Sequence, residues 1–224
     1  MGKLIVLFLI IGIVVFFIYY NKPTEPSVKN ETQSNEIPAI RNDKVKIASF
    51  NIQVFGQAKS QKEDVMQVLS KIADNFDILA VQEIRDATGE SIFTYLDYIN
   101  TIHGNNYTVV YGPRLGRTSS KEQYAYYYNP SVVSFQSSYT YADQSDFFER
   151  EPFIARFNSS QFDFVLINVH IKPEDAYSEI NALHSAIQDA KGKFPDEGDF
   201  IVLGDLNADC SYLNERLDST LLEN

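Results

Sequence analysis

The chain has 224 residues and a mass of 25.5 kDa; 44% of the residues are hydrophobic and 22% are charged. This balance is typical of one globular domain with appendages, and it excludes a wholly disordered chain, a collagen-like repeat and a multi-span membrane protein. A single cysteine excludes an internal disulfide framework and a zinc site built from several cysteines. The net charge is −11, and residues 1–43 are neutral in sum, so residues 44–224 carry the whole excess. This charge argues against an evenly basic nucleic-acid-binding surface but permits a local basic patch or a metal-bridged phosphate contact.

The N-terminus carries an apolar segment, Leu4–Tyr20, without a charged residue. Its length is close to the roughly 20 residues of a membrane-spanning helix. A cleaved signal peptide is the alternative, but no Ala-x-Ala pattern follows, and Tyr19 and Tyr20 resemble interfacial anchors. We therefore predict that residues 1–20 form an uncleaved signal anchor, a transmembrane helix with the body on the extracytoplasmic side; cleavage would give a secreted protein. Residues 21–43 hold three prolines and few large apolar residues, which predicts a flexible linker.

Strand and helix patterns alternate along residues 44–224, which we predict to form one domain. Apolar residues that recur every three or four positions indicate helices, and runs rich in aromatic and β-branched residues indicate strands. The predicted strands are 44–51, 77–82, 107–111, 124–128, 132–141, 153–157, 162–170 and 200–203, and the predicted helices are 60–76, 91–102 and 174–191. Ser60 and Glu63 suggest a capping box at the start of the first helix. The run of strands in mid-chain favours an α/β sandwich over a simple doubly wound sheet.

Polar side chains follow four of the apolar strands, at the point where each strand ends. Ligands of layered α/β folds bind beyond strand ends, where polar loops do not disturb the core. Carboxylates, amides and an imidazole gathered there suit a hard cation such as Mg²⁺ with a phosphate, and histidine transfers protons. Taken singly, Glu83 is more often a surface acid and His170 more often a structural histidine, but four clusters in one domain favour a functional site. The clusters are Ser49-Phe-Asn51, Gln82-Glu83, Asn168-Val-His170 and Gly204-Asp-Leu-Asn207.

From about Lys46 to Tyr212, these motifs resemble the deoxyribonuclease I family of the endonuclease/exonuclease/phosphatase superfamily. The Asn, Gln-Glu and Gly-Asp-x-Asn elements are shared across that superfamily. Three further elements resemble the deoxyribonuclease I branch in particular: Gly116-Arg-Thr-Ser-Ser-Lys-Glu122, Arg150-Glu-Pro152 and Ala208-Asp-Cys-Ser-Tyr212. The resemblance implies an α/β/β/α four-layer sandwich. It also implies a metal-dependent endonuclease that hydrolyses DNA phosphodiester bonds, with Mg²⁺, alone or with Ca²⁺, as cofactor and DNA as partner.

The resemblance further implies roles for single residues. Glu83 and Asn51 match the metal-binding pair. His170 matches a catalytic histidine, and Glu122 matches the carboxylate that orients it. A carboxylate on one imidazole nitrogen fixes the tautomer and stabilises the imidazolium, so chemistry and resemblance agree for this pair.

The other implied roles concern the phosphate and the DNA. Asp205 and Asn207 match residues that hold the scissile phosphate and the nucleophilic water. Basic side chains are expected to contact DNA phosphates, which positions the duplex without reading its sequence. These side chains are Arg85, Arg150, Arg117 and Lys121.

The sequence departs from the family at its C-terminus. The family places a second histidine in a late Ser-Asp-His-x-Pro motif, but none of the three histidines here, His103, His170 and His184, follows Asp205. Ser120 stands where the family commonly has a tyrosine. We therefore expect the C-terminal strands of the second sheet to be missing and the sequence to be a fragment of a longer reading frame; a truncated, inactive product is the alternative.

Three functions follow from these observations. A membrane-tethered DNA endonuclease is the favoured one. A phosphodiesterase of the same superfamily that acts on phospholipid or small phosphoesters suits a membrane tether, but the branch-specific motifs argue against it. A remnant that only binds DNA or a protein partner is the non-enzymatic alternative.

Overall fold

A computed structural model describes residues 14–16, 44–104, 106–160 and 162–208. Within the predicted anchor it describes only Val14–Phe16, and the predicted linker 21–43 lies outside the described residues. At these three residues the structure has a short strand, β1, where a helix was predicted, and it pairs antiparallel with residues 47–49. The rest of the anchor stays a prediction. Among the described residues, no helix is both long and apolar enough to cross a membrane.

The described part of residues 44–208 alternates strands and helices much as predicted. The strands are β2 (Ile47–Phe55), β3 (Ile78–Ile84), β4 (Thr108–Tyr111), β5 (Gln123–Tyr128), β6 (Val133–Thr140), β7 (Phe153–Ser159), β8 (Asp163–His170) and β9 (Phe200–Asp205). The helices are α1 (Gln57–Ser60), α2 (Glu63–Ala73), α3 (Glu90–His103) and α4 (Ala176–Lys193), the last preceded by a 3-10 turn at Pro173–Asp175. The predicted helix 60–76 is thus divided, and the predicted capping box is wrong. Lys62 occupies the N-cap position of α2 without a side-chain hydrogen bond, and the Ser60 hydroxyl donates to the Gln57 carbonyl.

Two mixed sheets carry the strands. Their orders are β1-β2-β3-β5-β4 and β6-β7-β8-β9. The pairs β2–β3 and β8–β9 are parallel, so the strands of each pair end at the same edge. Register then places Asn51 beside Gln82 and His170 beside Asp205. Because β2 and β3 contact β8 and β9 across the sandwich, the polar residues at the ends of both parallel pairs lie close together.

Three hydrophobic cores separate four layers. Helices α2 and α3 pack on the outer face of the first sheet around residues such as Leu79 and Tyr95. The two sheets face each other across a core that includes Tyr126 and Phe164. Helix α4 covers the outer face of the second sheet, where Leu183 is fully buried. The predicted α/β/β/α sandwich is therefore confirmed.

Candidate active site

The strand ends surround a cavity of about 410 Å³. Of the ten residues predicted for the site, eight come together here. Seven of them line the cavity, and Asn51 lies beside it, where its Nδ2 donates to Glu83 Oε1 and Asp205 Oδ2 at 2.9 and 2.8 Å. The seven are Glu83, Arg85, Glu122, Arg150, His170, Asp205 and Asn207.

The two other predicted residues lie elsewhere. Arg117 is paired with Asp146 at 3.1 Å and with Glu149 at 3.8 Å, which ties two surface loops together. Lys121 is exposed, and its carbonyl accepts from Arg114 Nη2 at 3.3 Å. Neither side chain is among the residues that line the cavity. Their predicted contact with DNA stays a prediction.

Irregular backbone aims Glu83 into the cavity. Its φ is 63°, and β3 shifts register against both neighbouring strands next to it. Such irregularities redirect a side chain, and a left-handed non-glycine residue is unfavourable unless its surroundings impose it. Gln53 and Val54 are left-handed as well, and their N–H groups donate to Asn51 Oδ1 at 2.9 Å and to Glu83 Oε2 at 2.8 Å. This strained end of β2 therefore positions both predicted metal ligands.

Lys59 also binds this end of β2. Its Nζ donates to the carbonyls of Ile52 and Gln53, at 2.9 Å each. Partial burial lowers the pKa of Lys59, and the charge of Glu83 opposes that shift. Sequence reasoning missed this lysine because an ammonium that binds backbone carbonyls leaves no motif.

His170 is oriented by Glu122. The distance from His170 Nδ1 to Glu122 Oε2 is 2.7 Å, and Nε2 faces Glu83 Oε1 at 3.7 Å and Asp205 Oδ2 at 4.0 Å. The carboxylate at Nδ1 leaves Nε2 as the ring atom that faces the cavity. The His170 backbone N–H donates to the Tyr124 hydroxyl at 2.8 Å, which fixes the strand behind the ring.

Glu122 is also the anchor of two arginines. Its Oε1 lies 2.6 Å from Arg85 Nη2, and its Oε2 lies 3.4 Å from Arg150 Nε. Burial raises the pKa of Glu122, but the His170 hydrogen bond and the charges of His170, Arg150 and Arg85 outweigh burial, so the pKa lies below its ordinary value. Glu122 is therefore ionised at neutral pH and can stabilise a protonated His170.

The Gly-Asp-x-Asn loop packs against the end of β8. Asn207 Nδ2 donates to the Ile171 carbonyl at 2.7 Å, and the Asn207 N–H donates to Asp205 Oδ1 at 3.1 Å. The Ile171 N–H in turn donates to the Asp205 carbonyl at 2.8 Å. These bonds fix Asp205 beside His170, with one carboxylate oxygen directed to Asn51.

A buried polar bridge joins the two sheets beneath the cavity. Gln82 Nε2 donates to Asn168 Oδ1 at 2.6 Å and to Ser49 Oγ at 3.1 Å. Asn168 Nδ2 donates to the Val81 carbonyl at 3.3 Å. Gln82 and Asn168 are fully buried, so each needs these partners. The sequence pattern placed these residues at strand ends. In the structure they hold the two sheets together beneath the site.

The residues at the cavity fit a hard divalent cation. Glu83 and Asp205 offer carboxylate oxygens on either side of the Asn51 amide, and their side chains are 13% and 21% exposed. The described residues contain no cluster of three or more His, Cys, Asp or Glu arranged as a complete metal site. Mg²⁺ needs no such cluster, because it takes one or two carboxylates and completes its shell with water and substrate oxygens.

Comparison with known proteins places the chain in a family. Residues 48–221 match the model of the Endonuclease/Exonuclease/phosphatase family. Deoxyribonuclease-1 of Bos taurus is 36% identical over 177 residues, 75% of this chain and 62% of the relative. Deoxyribonuclease-1 of Homo sapiens is 38% identical with the same coverage, and human deoxyribonuclease gamma is 36% identical over 77% of this chain and 59% of the relative. The chain thus spans about three fifths of these relatives.

Solved structures share the fold at low identity. A functionally unknown conserved protein from Enterococcus faecalis has a TM-score of 0.54 at 15% identity, covering 75% of this chain and 69% of that one. Truncated TDP2 from Caenorhabditis elegans has a TM-score of 0.53 at 17% identity, covering 78% and 66%. Together with the family model and the deoxyribonuclease relatives, the sandwich and its strand-end site show that the chain belongs to the endonuclease/exonuclease/phosphatase family and is deoxyribonuclease I-like.

Proposed function

We propose that the protein is a divalent-metal-dependent endonuclease that hydrolyses DNA phosphodiester bonds. The observation that carries the proposal is the His170–Glu122 pair, which presents Nε2 toward two carboxylates across a solvent-accessible cavity. This arrangement combines a proton-transfer group with oxygen ligands for a cation. The names of the relatives supply the substrate class, since they are deoxyribonucleases.

Each side chain has a part in this reaction. Glu83 and Asn51 would hold Mg²⁺, which when bound neutralises charge on the phosphoryl oxygens. Asp205 and Asn207 orient the attacking water and the scissile phosphate. His170 transfers a proton at Nε2, and the Glu122 carboxylate stabilises the charge that the ring then carries.

Nicking of supercoiled plasmid tests the proposal. The full chain is expected to convert supercoils to open circles in Mg²⁺ and to stop when EDTA removes the metal. A parallel assay measures release of phosphorylated headgroups from phosphatidylinositol vesicles. Cleavage that persists in EDTA, or headgroup release without nicking, would contradict the proposal.

We also propose that the apolar segment Leu4–Tyr20 tethers the protein to a membrane, with the body on the extracytoplasmic side. The support is its uncharged, nearly span-length sequence. Pairing of Val14–Phe16 with β2 is the competing arrangement. Fractionation of cells that express the full chain distinguishes them: the tether predicts recovery in the membrane pellet, and recovery in the soluble fraction alone would contradict it.

A further inference from the structure

Three basic side chains line the cavity among the described residues, and one of them, Lys172, differs from the two arginines. Arg85 and Arg150 are committed to Glu122, and the Arg150 side chain is only 10% exposed. Lys172 pairs instead with Asp175, at 2.7 Å, and these side chains are 35% and 41% exposed. An exposed pair three residues apart is weak and readily exchanged. Lys172 is thus the cavity cation most easily released to a ligand.

The backbone of Lys172 is nevertheless fixed beside the histidine. Its N–H donates to Glu179 Oε2 at 3.3 Å, and the other oxygen of Glu179 accepts from the Glu149 N–H at 3.0 Å. Glu179 is fully buried, and Pro173, which follows Lys172, restricts the chain further. Lys172 follows His170 by two residues. The flexible four-carbon side chain of Lys172 therefore extends from a fixed backbone position at the edge of the site.

The charge balance of the cavity suggests a role for the Lys172 side chain. Five acidic residues line the cavity, against three basic ones, and two of the basic ones, Arg85 and Arg150, already form ion pairs with Glu122. A DNA strand adds further negative charge, so its phosphates require a cation that can leave its present ion pair easily. We propose that Lys172 binds a DNA backbone phosphate adjacent to the scissile one. The inference rests on the proposed function and adds a substrate contact to it. An ammonium suits this role because it acts as a mobile point charge.

The test measures binding of a fluorescent DNA duplex by anisotropy as a function of NaCl. Mg²⁺ is present, and every protein carries His170→Ala so that the duplex is not cut. Loss of one phosphate contact reduces the slope of log K against log[salt] by about 0.9. Lys172→Met is expected to show this reduction and to bind several-fold more weakly at about 0.1 M salt.

Two further variants sharpen the test. Lys71→Met, on the exposed face of α2, is the matched control and should keep the slope of the reference protein. Asp175→Asn removes the competing carboxylate, whose side chain makes no helix-cap hydrogen bond, and should tighten binding. Equal slopes for Lys172→Met and Lys71→Met would overturn the inference alone. No duplex binding by the reference protein would overturn the inference together with the proposed function.

Discussion

Among single side chains, Glu122 matters most, because one buried carboxylate orients His170 and holds Arg85 and Arg150. Removal of its charge leaves buried cationic partners unpaired. This usually destabilises a protein more than replacing the whole ion pair with apolar residues. The site thus depends on Glu122 for both stability and orientation.

Glu122→Gln is expected to lower the free energy of unfolding by about 3 kcal/mol near pH 7. The pKa of Glu122 in the folded protein lies below the ordinary value of 4.5, so its stabilisation is present above that value and is lost as pH falls through the folded pKa. Urea unfolding near pH 7 and near pH 3 should therefore show a difference between wild type and variant that shrinks in acid.

The control is Glu174→Gln, which alters an exposed glutamate at the same cavity. Its stability should stay within about 0.5 kcal/mol of wild type at both pH values. If the loss of unfolding free energy in Glu122→Gln were the same in acid as near pH 7, loss of the carboxylate charge would not be the cause of that destabilisation.

The sequence indicated which residues meet at the cavity better than it indicated which side chains pair with one another. Asn51, Glu83, His170 and Asp205 were predicted because a polar residue at the end of an apolar strand stands out. Arg150 was predicted as a DNA contact, and that stays a prediction; what the sequence did not indicate is that its largely buried guanidinium binds Glu122 and the His170 carbonyl. Such pairing depends on strands far apart in sequence, which no local pattern reports.

At the scale of elements, the close parallel pairing of β8 and β9 brings His170 next to Asp205. The two strands can come this close because residue 204 is glycine. Its φ is 145°, and an added Cβ would overlap the Val169 carbonyl. A backbone atom cannot move aside as a flexible side chain does. The Gly-Asp-x-Asn motif therefore begins with glycine for a steric reason in this chain.

Gly204→Ala is expected to destabilise the fold by more than about 3 kcal/mol, since both strain and overlap act at this position. Urea unfolding measures the effect. Gly192→Ala, in the last turn of α4 with no atom near the added Cβ, makes the same chemical change and should be neutral or stabilising by up to about 1 kcal/mol. Equal stabilities of the two variants would contradict the packing described for β9.

Element types were predictable from the sequence, and irregularities were not. Strands β2 to β9 and two of the three helices lie within a few residues of their predicted positions, because short apolar runs and helical periodicity are local signals. The division of the helix predicted at 60–76 and the register shift at Glu83 were not foreseen. Both depend on how neighbouring strands and helices pack, and the shift at Glu83 is what directs the carboxylate into the cavity.

For the whole molecule, the site depends on the packing of two sheets. The first sheet supplies Asn51 and Glu83, the second supplies His170 and Asp205, and the Asn51 amide contacts carboxylates from both. Under the proposed function, this arrangement would let a chain of net charge −11 bind a polyanion. Carboxylates surround His170 at the centre, and the basic groups of the cavity either pair with Glu122 or, like Lys172, lie more exposed beside it.

The most direct test compares plasmid nicking by His170→Ala with nicking by His184→Ala, in Mg²⁺ and at matched thermal stability. His184 lies on α4 outside the residues that line the cavity, so the two variants lose the same side chain in different places. Loss of a proton-transfer group typically lowers the rate by about 10²–10⁴-fold. The rate of the first nick should fall by this factor in His170→Ala and stay at the wild-type value in His184→Ala. Equal nicking rates for the two variants would contradict the assignment of this cavity as the catalytic site.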